Sequence, residues 1–368
     1  MAQLPLVIIG AGSIGRRHIE VAQACPETRI AAVVEPSASR RVKFTSQGLN
    51  VVAALDEIPG ETRAAVVATP TPDHHISVHA CLDRGLPVLV EKPIADRLDH
   101  ARAVLESATR NSLPLFTGHH RRCHPFSLMA RKVLPNIGAI VGIQGFWSLR
   151  KHDSYYNVDW RRAPGAGPLM INLSHEIDLL RFLVGDIDEV TALSSNARRG
   201  FAIEDTAVIA LRFANGAMGS FLISDAGVSP WAFEAASDEN PNIAASHQDY
   251  IRITGTKGAL EFPSLTRWGQ SGPEEIEWSK PLVRTPGPIF GRVDPLLVQI
   301  ARFAAVVNGG RGDGLCTGKD GVMALEMTLA AALSAQSGRT VRAGDVPGDF
   351  DGICAGYYVQ NEDETTRD

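Results

Sequence analysis

VIIGAGSIGRRH, residues 7–18, is the stretch that decides the fold of this chain. Its apolar beginning predicts a buried strand and its end predicts a helix, with three glycines in the turn between them. Gly10 permits a tight turn, Gly12 lets the backbone approach a pyrophosphate, and Gly15 lets the helix pack closely against the sheet. The stretch therefore predicts the phosphate-binding turn of a dinucleotide-binding fold.

Residues that follow the glycines refine this prediction. Ser13 and Ile14 begin the helix, whose N-terminus offers unpaired N–H groups and a positive dipole end to phosphates. Glu35 lies twenty residues beyond the last glycine, where a carboxylate accepts hydrogen bonds from ribose hydroxyls and repels a 2′-phosphate. Arg40 and Arg41 can neutralise that acid or reach a phosphate. We expect NAD as the cofactor, with NADP less favoured.

The first third of the chain alternates short apolar runs with helical patterns, which is typical of a parallel sheet covered by helices on both faces. The predicted strands are Leu4–Ile9, Ile30–Val34, Asn50–Val52, Ala64–Ala68, Val88–Val90 and Leu115–Thr117. The predicted helices are Ser13–Ala24, Ser37–Gln47, Asp73–Arg84 and Arg97–Arg110. This order needs right-handed crossovers and predicts a six-stranded, doubly wound Rossmann sheet.

Beyond Pro125 the predicted strands are longer and alternate apolar with polar residues, which indicates an antiparallel sheet. Asn215-Gly216 predicts a two-residue hairpin turn, and Thr256-Lys257-Gly258 predicts a second tight turn. Three helical patterns interrupt or close this sheet, near residues 168–184, 295–307 and 321–337. The second part is therefore predicted to be an α+β domain with a large, mostly antiparallel open sheet.

These patterns place the domain boundaries. We expect an NAD(P)-binding Rossmann domain at residues 1–122 and a substrate-binding and oligomerisation domain at residues 123–345. Residues 346–368 form an acidic C-terminal tail, because seven acids but only one arginine lie between Asp345 and Asp368. The net charge of -5 is concentrated there, so the rest of the chain is close to neutral.

Composition excludes several classes of function. The 368 residues are 44% hydrophobic and 21% charged, which rules out a disordered or collagen-like chain. No apolar window approaches the ~18 residues that a membrane helix needs, and we expect no signal peptide. Five scattered cysteines without a C-x-x-C pair indicate a reducing cytoplasm. No basic stripe is visible, so we expect no nucleic-acid partner.

Further motifs carry a resemblance to a known family. Ala68-Thr69-Pro70 follows the fourth predicted strand, with His74 shortly after it, and Glu91-Lys92-Pro93 follows the fifth. Gly165-Ala166-Gly167-Pro168-Leu169 leads into a helix that carries N-x-x-H-x-x-D from Asn172. Together with the glycine turn, these motifs resemble the glucose–fructose oxidoreductase, inositol dehydrogenase and rhizopine-catabolism (Gfo/Idh/MocA) family over essentially the whole chain.

The resemblance implies roles for particular residues. Lys92 is implied to lie beside the nicotinamide and the substrate, and His175 to accept the proton of the substrate hydroxyl. Asn172 lies three residues before His175 and is expected to share its helix face and its part in catalysis. The further residues implied or expected to contact the cofactor are Thr69, Pro70, His74, Glu91, Lys92, Trp160 and Arg161.

Two positions depart from the family pattern. Many members carry an aspartate four residues before the catalytic histidine, where this chain has Ile171 with Asn172 beside it. The common N-x-R-F stretch is replaced by His120-Arg121-Arg122-Cys123. These departures bear on the substrate more than on the reaction. The residues expected to contact the substrate are His120, Arg122, His124, Tyr156, Asn172 and His175.

No metal site is predicted. His119, His120, Cys123 and His124 lie close together in the sequence, but they fall in a loop between a strand and a helix. A zinc site usually draws ligands from two groups, and no second group follows this one at a suitable spacing.

The motifs favour an NAD-dependent dehydrogenase that transfers a hydride between the nicotinamide and a secondary alcohol of a sugar, cyclitol or sugar acid. Two other reactions stay open: oxidation of a cyclic cis-dihydrodiol to a catechol, and glycoside cleavage by an NAD-retaining enzyme with no net redox change. A non-catalytic NAD sensor is disfavoured by the intact Lys92 and His175. The expected partners are a small polyhydroxylated or cyclic diol substrate and further copies of the chain, in a homodimer or homotetramer built on the second sheet.

Overall fold

The structure is a computed structural model that describes residues 3–240, 242–272 and 276–352. Contacts divide the chain into two compact units. The first runs to His124 and also contains Asp294–Leu325, and the second contains Pro125–Val293 and the described residues from Glu326 onward. Of the predicted acidic tail, the structure describes residues 346–352, among which Val346 is buried. The rest of the tail lies outside the described residues.

Both units combine strands with helices. In chain order the strands are β1 Leu4–Ile9, β2 Thr28–Val34, β3 Val51–Val52, β4 Ala64–Val67, β5 Val88–Val90, β6 Leu115–Thr117, β7 Ile140–Ser148, β8 Ile187–Ser195, β9 Thr206–Phe213, β10 Met218–Ser224, β11 Ile251–Gly255, β12 Gly258–Phe262, β13 Arg267–Gly269, β14 Val283–Thr285, β15 Cys316–Thr317 and β16 Val341–Arg342. The α-helices are α1 Ser13–Ala24, α2 Ala38–Thr45, α3 His74–Leu82, α4 Leu98–Arg110, α5 Pro125–Val133, α6 Ser174–Val184, α7 Phe233–Ser237, α8 Pro295–Val307 and α9 Gly318–Ser337.

The first unit contains the predicted Rossmann sheet. Its parallel strands follow the order β3-β2-β1-β4-β5-β6, the strand order of dinucleotide-binding folds. Every residue of β1 is buried, because helices cover both faces of a parallel sheet. The six-stranded, doubly wound prediction is confirmed. β15 adds a seventh strand antiparallel to β6, which two residues without periodicity do not reveal in the sequence.

Helix α8 belongs to the first unit, which differs from the predicted boundaries of 1–122 and 123–345. Its residues Ile300 and Phe303 are fully buried in one core with β1 and α1. Phe303 also meets Phe116 edge to face, with ring centroids 6.1 Å apart. Burial of such an aromatic side chain stabilises the fold by about 2 kcal/mol. An amphipathic helix specifies that one face is buried but not against which sheet, so the sequence alone assigns α8 to the wrong unit.

The second unit is built on a nine-stranded sheet with the order β14-β13-β12-β11-β7-β10-β9-β8-β16. All neighbours are antiparallel except β7 and β10, which confirms the predicted mostly antiparallel sheet. The hairpin at Asn215-Gly216 joins β9 to β10 as predicted, but Ala214 also belongs to its loop. The turn between β11 and β12 has Thr256 and Lys257 as its loop residues, because Gly255 faces Gly258.

Candidate active site

The glycine turn between β1 and α1 has the three steric properties that the sequence predicts. Gly10 has a φ of +93°, and a methyl group on it would lie 2.7 Å from the carbonyl oxygen of Ala68. A methyl group on Gly15 would collide with the carbonyl oxygen of Gly10. A methyl group on Gly12, in contrast, would meet no described atom within 4 Å. The turn is therefore packed at its ends and open in the middle, which fits a pyrophosphate against Gly12.

The N-terminus of α1 lies next to this open position. The helix begins at Ser13, and within the described chain no side chain caps it. The first N–H groups of an uncapped helix are available to an anion, which the helix dipole attracts as well. Ser13 and Ile14 are exposed at this helix start. The arrangement meets the requirement of a phosphate site.

Glu35 lies directly after β2, where the dinucleotide prediction places it, and its side chain is buried. Its Oε2 accepts a hydrogen bond from the Ala11 N–H at 3.0 Å, and its Oε1 accepts one from the Ser37 N–H at 2.9 Å. Arg40 places Nη1 3.5 Å from Oε2, whereas the Arg41 guanidinium donates to the carbonyl of Glu35 at 3.0 Å. The carboxylate is thus fixed by the glycine turn, with one arginine beside it.

His74 connects the turn that follows β4 with the turn that follows β5. Its Nδ1 lies 2.8 Å from the carbonyl oxygen of Pro93, and its Nε2 lies 3.0 Å from that of Thr69. Burial lowers the pKa of His74, and the two carbonyl contacts oppose that effect only in part. Through these two contacts the buried imidazole stabilises both turns. Thr69 Oγ1 is buried and has no hydrogen-bond partner among the described residues, so a polar group of a ligand would satisfy it. Pro70 follows it at the surface.

Glu91 and Lys92 follow the end of β5. Glu91 is buried, and its Oε1 lies 2.7 Å from Nε2 of His18. Its Oε2 accepts a hydrogen bond from the backbone N–H of Lys92 at 3.0 Å. Both oxygens of the Glu91 carboxylate therefore contact protein groups and stabilise the turn rather than facing a ligand. Lys92 is half-buried, and the Lys92–Pro93 peptide bond is cis.

The segment after β6 contains three predicted substrate contacts of the first unit. Arg122 is buried, and its Nη1 lies 3.2 Å from Oδ2 of Asp320. His124 is also buried, which together with the charge of His120 lowers its pKa to about 3. His124 is therefore neutral at physiological pH and poorly placed to meet an exposed substrate. His120 is half-buried and is the most accessible of the three.

The helix that carries Asn172 and His175 begins as predicted near Pro168, but its first turn, Leu169–Leu173, is a π-helix that runs into α6. Such wide turns are frequent at functional sites. Glu204 stabilises this start, because its Oε1 accepts a hydrogen bond from the Leu169 N–H at 2.9 Å. A methyl group on Gly167 would collide with the same carboxylate, which explains the glycine-rich approach to the helix.

A largely buried group of charged and polar side chains in the second unit reaches Asn172 through Lys151. Asn172 Oδ1 accepts a hydrogen bond from Nζ of Lys151 at 3.2 Å. The same ammonium lies 3.3 Å from Oδ2 of Asp225, which also accepts a hydrogen bond from the Tyr156 hydroxyl at 2.5 Å. Arg199 completes the group with Nε 3.2 Å from Oδ1 of Asp225. We call Lys151, Asp225, Tyr156 and Arg199 the Asp225 cluster.

Burial shifts several groups in and beside the Asp225 cluster. It lowers the pKa of Lys151, although the Asp225 carboxylate opposes the shift, and it raises the pKa of the Tyr156 hydroxyl. Burial also raises the pKa of Glu204 to about 7, an effect that the Leu169 hydrogen bond reduces and the Asp225 charge increases. Tyr156 was predicted to contact the substrate, but its hydroxyl is taken up by Asp225. Its direct contact with a substrate stays a prediction.

The sequence alone does not single out Lys151, Asp225, Arg199 or Glu204. Each follows or precedes a strand without a recognisable motif. The signal lies in the topology: β7 and β10 are parallel neighbours, with Ser148 opposite Ser224. Residues just beyond these two strand ends, Lys151 and Asp225, therefore meet at one edge of the sheet.

Trp160 and Arg161 lie in a short 3-10 helix of the second unit. The Trp160 side chain is exposed. The Arg161 guanidinium lies over the Tyr155 ring, 4.1 Å from its centroid, and Nη1 donates to the Tyr155 carbonyl at 2.9 Å. Their contact with the cofactor stays a prediction. The predicted site residues thus fall into two groups: the glycine turn, Glu35, Lys92 and the segment 120–124 belong to the first unit, and residues 156–175 belong to the second.

Comparisons with known proteins match both units. Residues 4–119 match the oxidoreductase family's NAD-binding Rossmann fold, and residues 133–342 match the same family's C-terminal alpha/beta domain. The uncharacterized oxidoreductase YrbE of Bacillus subtilis is 25% identical over 360 residues, which cover 92% of this chain and 96% of that protein. The inositol 2-dehydrogenase of Streptomyces avermitilis is 33% identical over 202 residues, which cover 52% of this chain and 55% of that protein.

The fold also matches solved structures. The WlbA dehydrogenase from Bordetella pertussis, crystallised with NADH and UDP-GlcNAcA, aligns with a TM-score of 0.71 and covers 93% of this chain and 99% of its own. At 21% identity this likeness shows the fold alone. Within the described part of the chain, no helix is long and apolar enough to cross a membrane.

Proposed function

The chain belongs to the Gfo/Idh/MocA family of oxidoreductases, and from this premise we propose that it is an NAD-dependent dehydrogenase. Its substrate is a secondary alcohol of a sugar, a cyclitol or a sugar acid. The observation that carries the proposal is the glycine turn, which is packed at Gly10 and Gly15 but open at Gly12 in front of an uncapped helix.

Residues of the first unit fit the cofactor. Gly12 and the N-terminus of α1 bind the pyrophosphate, and Glu35 accepts hydrogen bonds from the ribose hydroxyls. Thr69 Oγ1 supplies a buried polar atom that still lacks a partner within the described chain. When bound, the nicotinamide supplies the hydride acceptor, the part of the reaction that no side chain can provide.

The choice of NAD over NADP rests on the buried Glu35. Both of its oxygens already accept backbone hydrogen bonds, so the carboxylate is held in place and keeps lone pairs for a ribose diol. A 2′-phosphate would meet the same carboxylate and be repelled. Arg40 opposes this effect, but its side chain is 59% exposed, so solvent screens its charge.

Two residues manage the proton and charge of the alcohol. His175 accepts the hydroxyl proton, because an imidazole titrates near the operating pH of the cell. The Lys92 ammonium stabilises the negative charge that develops on the alcohol oxygen. Asn172 orients a substrate hydroxyl, since the Lys151 ammonium occupies Oδ1 and leaves the amide N–H groups to donate.

The substrate class rests on the family and on the residues of the second unit. The matched inositol 2-dehydrogenase acts, by its name, on a cyclitol. Asn172 and the Asp225 cluster beside it are rich in hydrogen-bonding groups, which suits a polyhydroxylated ligand better than an apolar one. We therefore place polyols, sugars and sugar acids ahead of the cis-dihydrodiols.

A substrate screen tests this function. Polyols, sugars, sugar acids and dihydrodiols are offered with NAD and with NADP, and reduced nicotinamide is followed by absorbance. Steady reduction with a polyhydroxylated compound is expected, and Lys92→Ala should abolish it while still binding NAD. Cleavage of a glycoside without net reduction would instead identify an NAD-retaining glycosidase.

We also propose that a second copy of the chain covers the outer face of the second sheet. Leu193 and Val208 lie opposite each other on β8 and β9 and are 70% and 47% exposed. Leu222 on β10 and Phe146 on β7 continue the same row, since Leu222 pairs with both Val208 and Phe146. A continuous apolar row across four strands is typical of an interface between subunits.

Light scattering tests this association. A dimer or tetramer is expected at micromolar concentration, and Val208→Glu should reduce it to smaller species while Lys43→Glu, a change of an exposed charge on α2 of the first unit, should not. A wild-type monomer would contradict the interface. The cytoplasmic location also remains a proposal, supported by the scattered cysteines: Cys25 and Cys81 are buried free thiols, and Cys354 lies outside the described residues.

A further inference from the structure

Three side chains of the first unit that the proposed reaction does not use lie together. His75, Asp96 and His100 each bring one possible metal-ligating atom within 4.8 Å of the other two. The imidazole rings of His75 and His100 stack with centroids 3.7 Å apart and 15° between their planes. His100 Nδ1 lies 2.7 Å from Oδ1 of Asp96. The three are half-buried, so solvent ions can reach them.

The three residues lie at or just before the starts of two helices of one unit. His75 is the second residue of α3, His100 is the third residue of α4, and Asp96 lies just before α4. Helices α3 and α4 pack against each other. Two of the three ligating residues are therefore placed by the packing of two helices, which reduces the entropy cost of binding an ion, and one of the stacked rings rotates to turn its nitrogen towards the shared ion.

One atom of the cluster has unused bonding capacity. His75 Nδ1 is buried and has no hydrogen-bond partner among the described residues. A buried polar atom without a partner costs about 1–3 kcal/mol, so the native fold rarely keeps one without a reason. In the same cluster, the 2.7 Å distance between His100 Nδ1 and Asp96 Oδ1 is that of a hydrogen bond, which requires a proton between the two atoms. A cation can take the place of such a proton, because imidazole and carboxylate are both metal ligands.

We propose that His75, Asp96 and His100 bind a divalent first-row transition-metal ion, for which zinc is the best match. Two imidazole nitrogens and one carboxylate oxygen form a common zinc set, with water as the fourth ligand. Magnesium and calcium prefer sets made of oxygen alone and are disfavoured. The sequence predicts no metal site, because these residues are separated along the chain and have none of the usual zinc spacings.

A positively charged side chain, that of Arg97, lies beside the cluster. Arg97 Nη2 lies 3.2 Å from His100 Nε2, but the guanidinium also makes two hydrogen bonds to Asp99, at 2.6 Å and 3.0 Å. Asp99 therefore neutralises Arg97 and leaves the Asp96 carboxylate to offset part of the metal charge. When the ion binds Nδ1, the remaining imidazole proton moves to Nε2, so the hydrogen bond from Arg97 to Nε2 is lost while Arg97 keeps its bidentate pair with Asp99.

A bound ion would stabilise the first unit, which contains the proposed cofactor site. His74, the neighbour of His75, already links the carbonyls of Thr69 and Pro93. A metal ion bound between α3 and α4 would add a second set of contacts at the start of α3. Any ligand that binds only the folded chain stabilises it by mass action, so the thermal midpoint should rise with metal concentration.

Calorimetric titration of the chelator-treated full chain with Zn²⁺ tests the site, and Co²⁺ absorption reports its ligands. We expect one ion per chain, a raised thermal midpoint, and a cobalt spectrum without a thiolate charge-transfer band. Asp96→Asn and His100→Ala should each weaken binding at least tenfold, since even indirect ligand contacts are worth 10–100-fold in affinity. His79→Ala, which lies on α3 with His75 but outside the cluster, is the matched control.

Three results would overturn the proposal: no Zn²⁺ binding, binding that Asp96→Asn and His100→Ala leave unchanged, or a thiolate band that places the ion on a cysteine. Asp96→Asn preserves the size of the side chain, so it remains informative if His100→Ala does not fold. None of these measurements requires turnover. The metal site can therefore fail or stand independently of the proposed dehydrogenase.

Discussion

Nε2 of His18 lies 2.7 Å from Oε1 of Glu91, and both side chains are buried beneath the turn that presents Lys92. Burial alone would raise the pKa of Glu91, but the hydrogen bond from His18 and the nearby positive charges lower it to about 2. The ionised carboxylate also accepts the Lys92 backbone N–H. His18 of α1 and Glu91, directly after β5, thus fix the main chain of the proposed catalytic lysine.

This pair should make the protein sensitive to acid. Because the pKa of Glu91 is lowered from 4.5 to about 2, its stabilisation is complete above pH ~4.5 and is lost as the pH falls towards 2. At neutral pH it amounts to about 3 kcal/mol. Glu91→Gln should therefore lower the thermal midpoint at neutral pH and flatten its decline in acid.

Thermal unfolding across this pH range checks the expectation. Glu20→Gln, which removes a half-exposed carboxylate from α1, is the control and should keep the wild-type dependence. If Glu91→Gln also retained the full acid-induced loss of stability, the assigned role of Glu91 would be wrong.

Substitutions at two glycines of the turn distinguish its role in NAD binding from its role in folding. Gly15→Ala places a methyl group against the Gly10 carbonyl and should destabilise the fold by about 1–3 kcal/mol. Gly12→Ala meets no described atom within 4 Å and should leave the thermal midpoint unchanged, but its methyl group would occupy the space of the pyrophosphate. We expect NAD affinity to fall at least tenfold, or about 1.4 kcal/mol.

Calorimetric NAD titration and thermal unfolding of the two variants provide the comparison. If Gly12→Ala bound NAD with wild-type affinity, the pyrophosphate could not lie against Gly12.

Local motifs and distant pairings differ in how far the sequence reveals them. The glycine turn and the hairpin at Asn215-Gly216 are predictable because each depends on the conformation of a few adjacent residues. Lys151 and Asp225 are 74 residues apart and meet only because β7 and β10 run parallel side by side. No pattern in either segment reports that pairing. The position of α8 was missed for the same reason.

The hydrogen bond between Lys151 and Asn172 should affect substrate binding more than turnover. Lys151→Met releases the Asn172 amide, and we expect KM to rise about tenfold, the effect of losing a hydrogen bond to a charged group worth ~1.5 kcal/mol. Asn172→Ala should raise KM similarly. Because one residue acts through the other, the double variant should be little worse than either single variant.

Steady-state kinetics of the double-mutant cycle measure this coupling, with the exposed Lys43→Met of α2 as a control for the loss of a lysine. Additive effects of Lys151→Met and Asn172→Ala on KM would show that Lys151 does not act through the amide.

Glu35 should set the cofactor preference. We expect kcat/KM to be higher with NAD than with NADP by about tenfold or more, from repulsion of the 2′-phosphate. Glu35→Gln should reduce the ratio, and Arg40→Ala should increase it by removing the cation 3.5 Å from the carboxylate. Measurement of kcat/KM with both cofactors, for the wild type and the two variants, tests this preference. An NADP preference in the wild type would mean that Arg40 overrides the acid.

The pH dependence of alcohol oxidation by His175→Ala tests the central claim most directly, because it asks whether this chain removes a proton from an alcohol with the residue proposed. The wild-type rate should rise with pH as the general base loses its proton. His175→Ala should oxidise the substrate roughly 10²–10⁴-fold more slowly, the usual contribution of a general base, and its rising limb should be flat. A variant that keeps both the rate and the pH profile of the wild type would contradict the account.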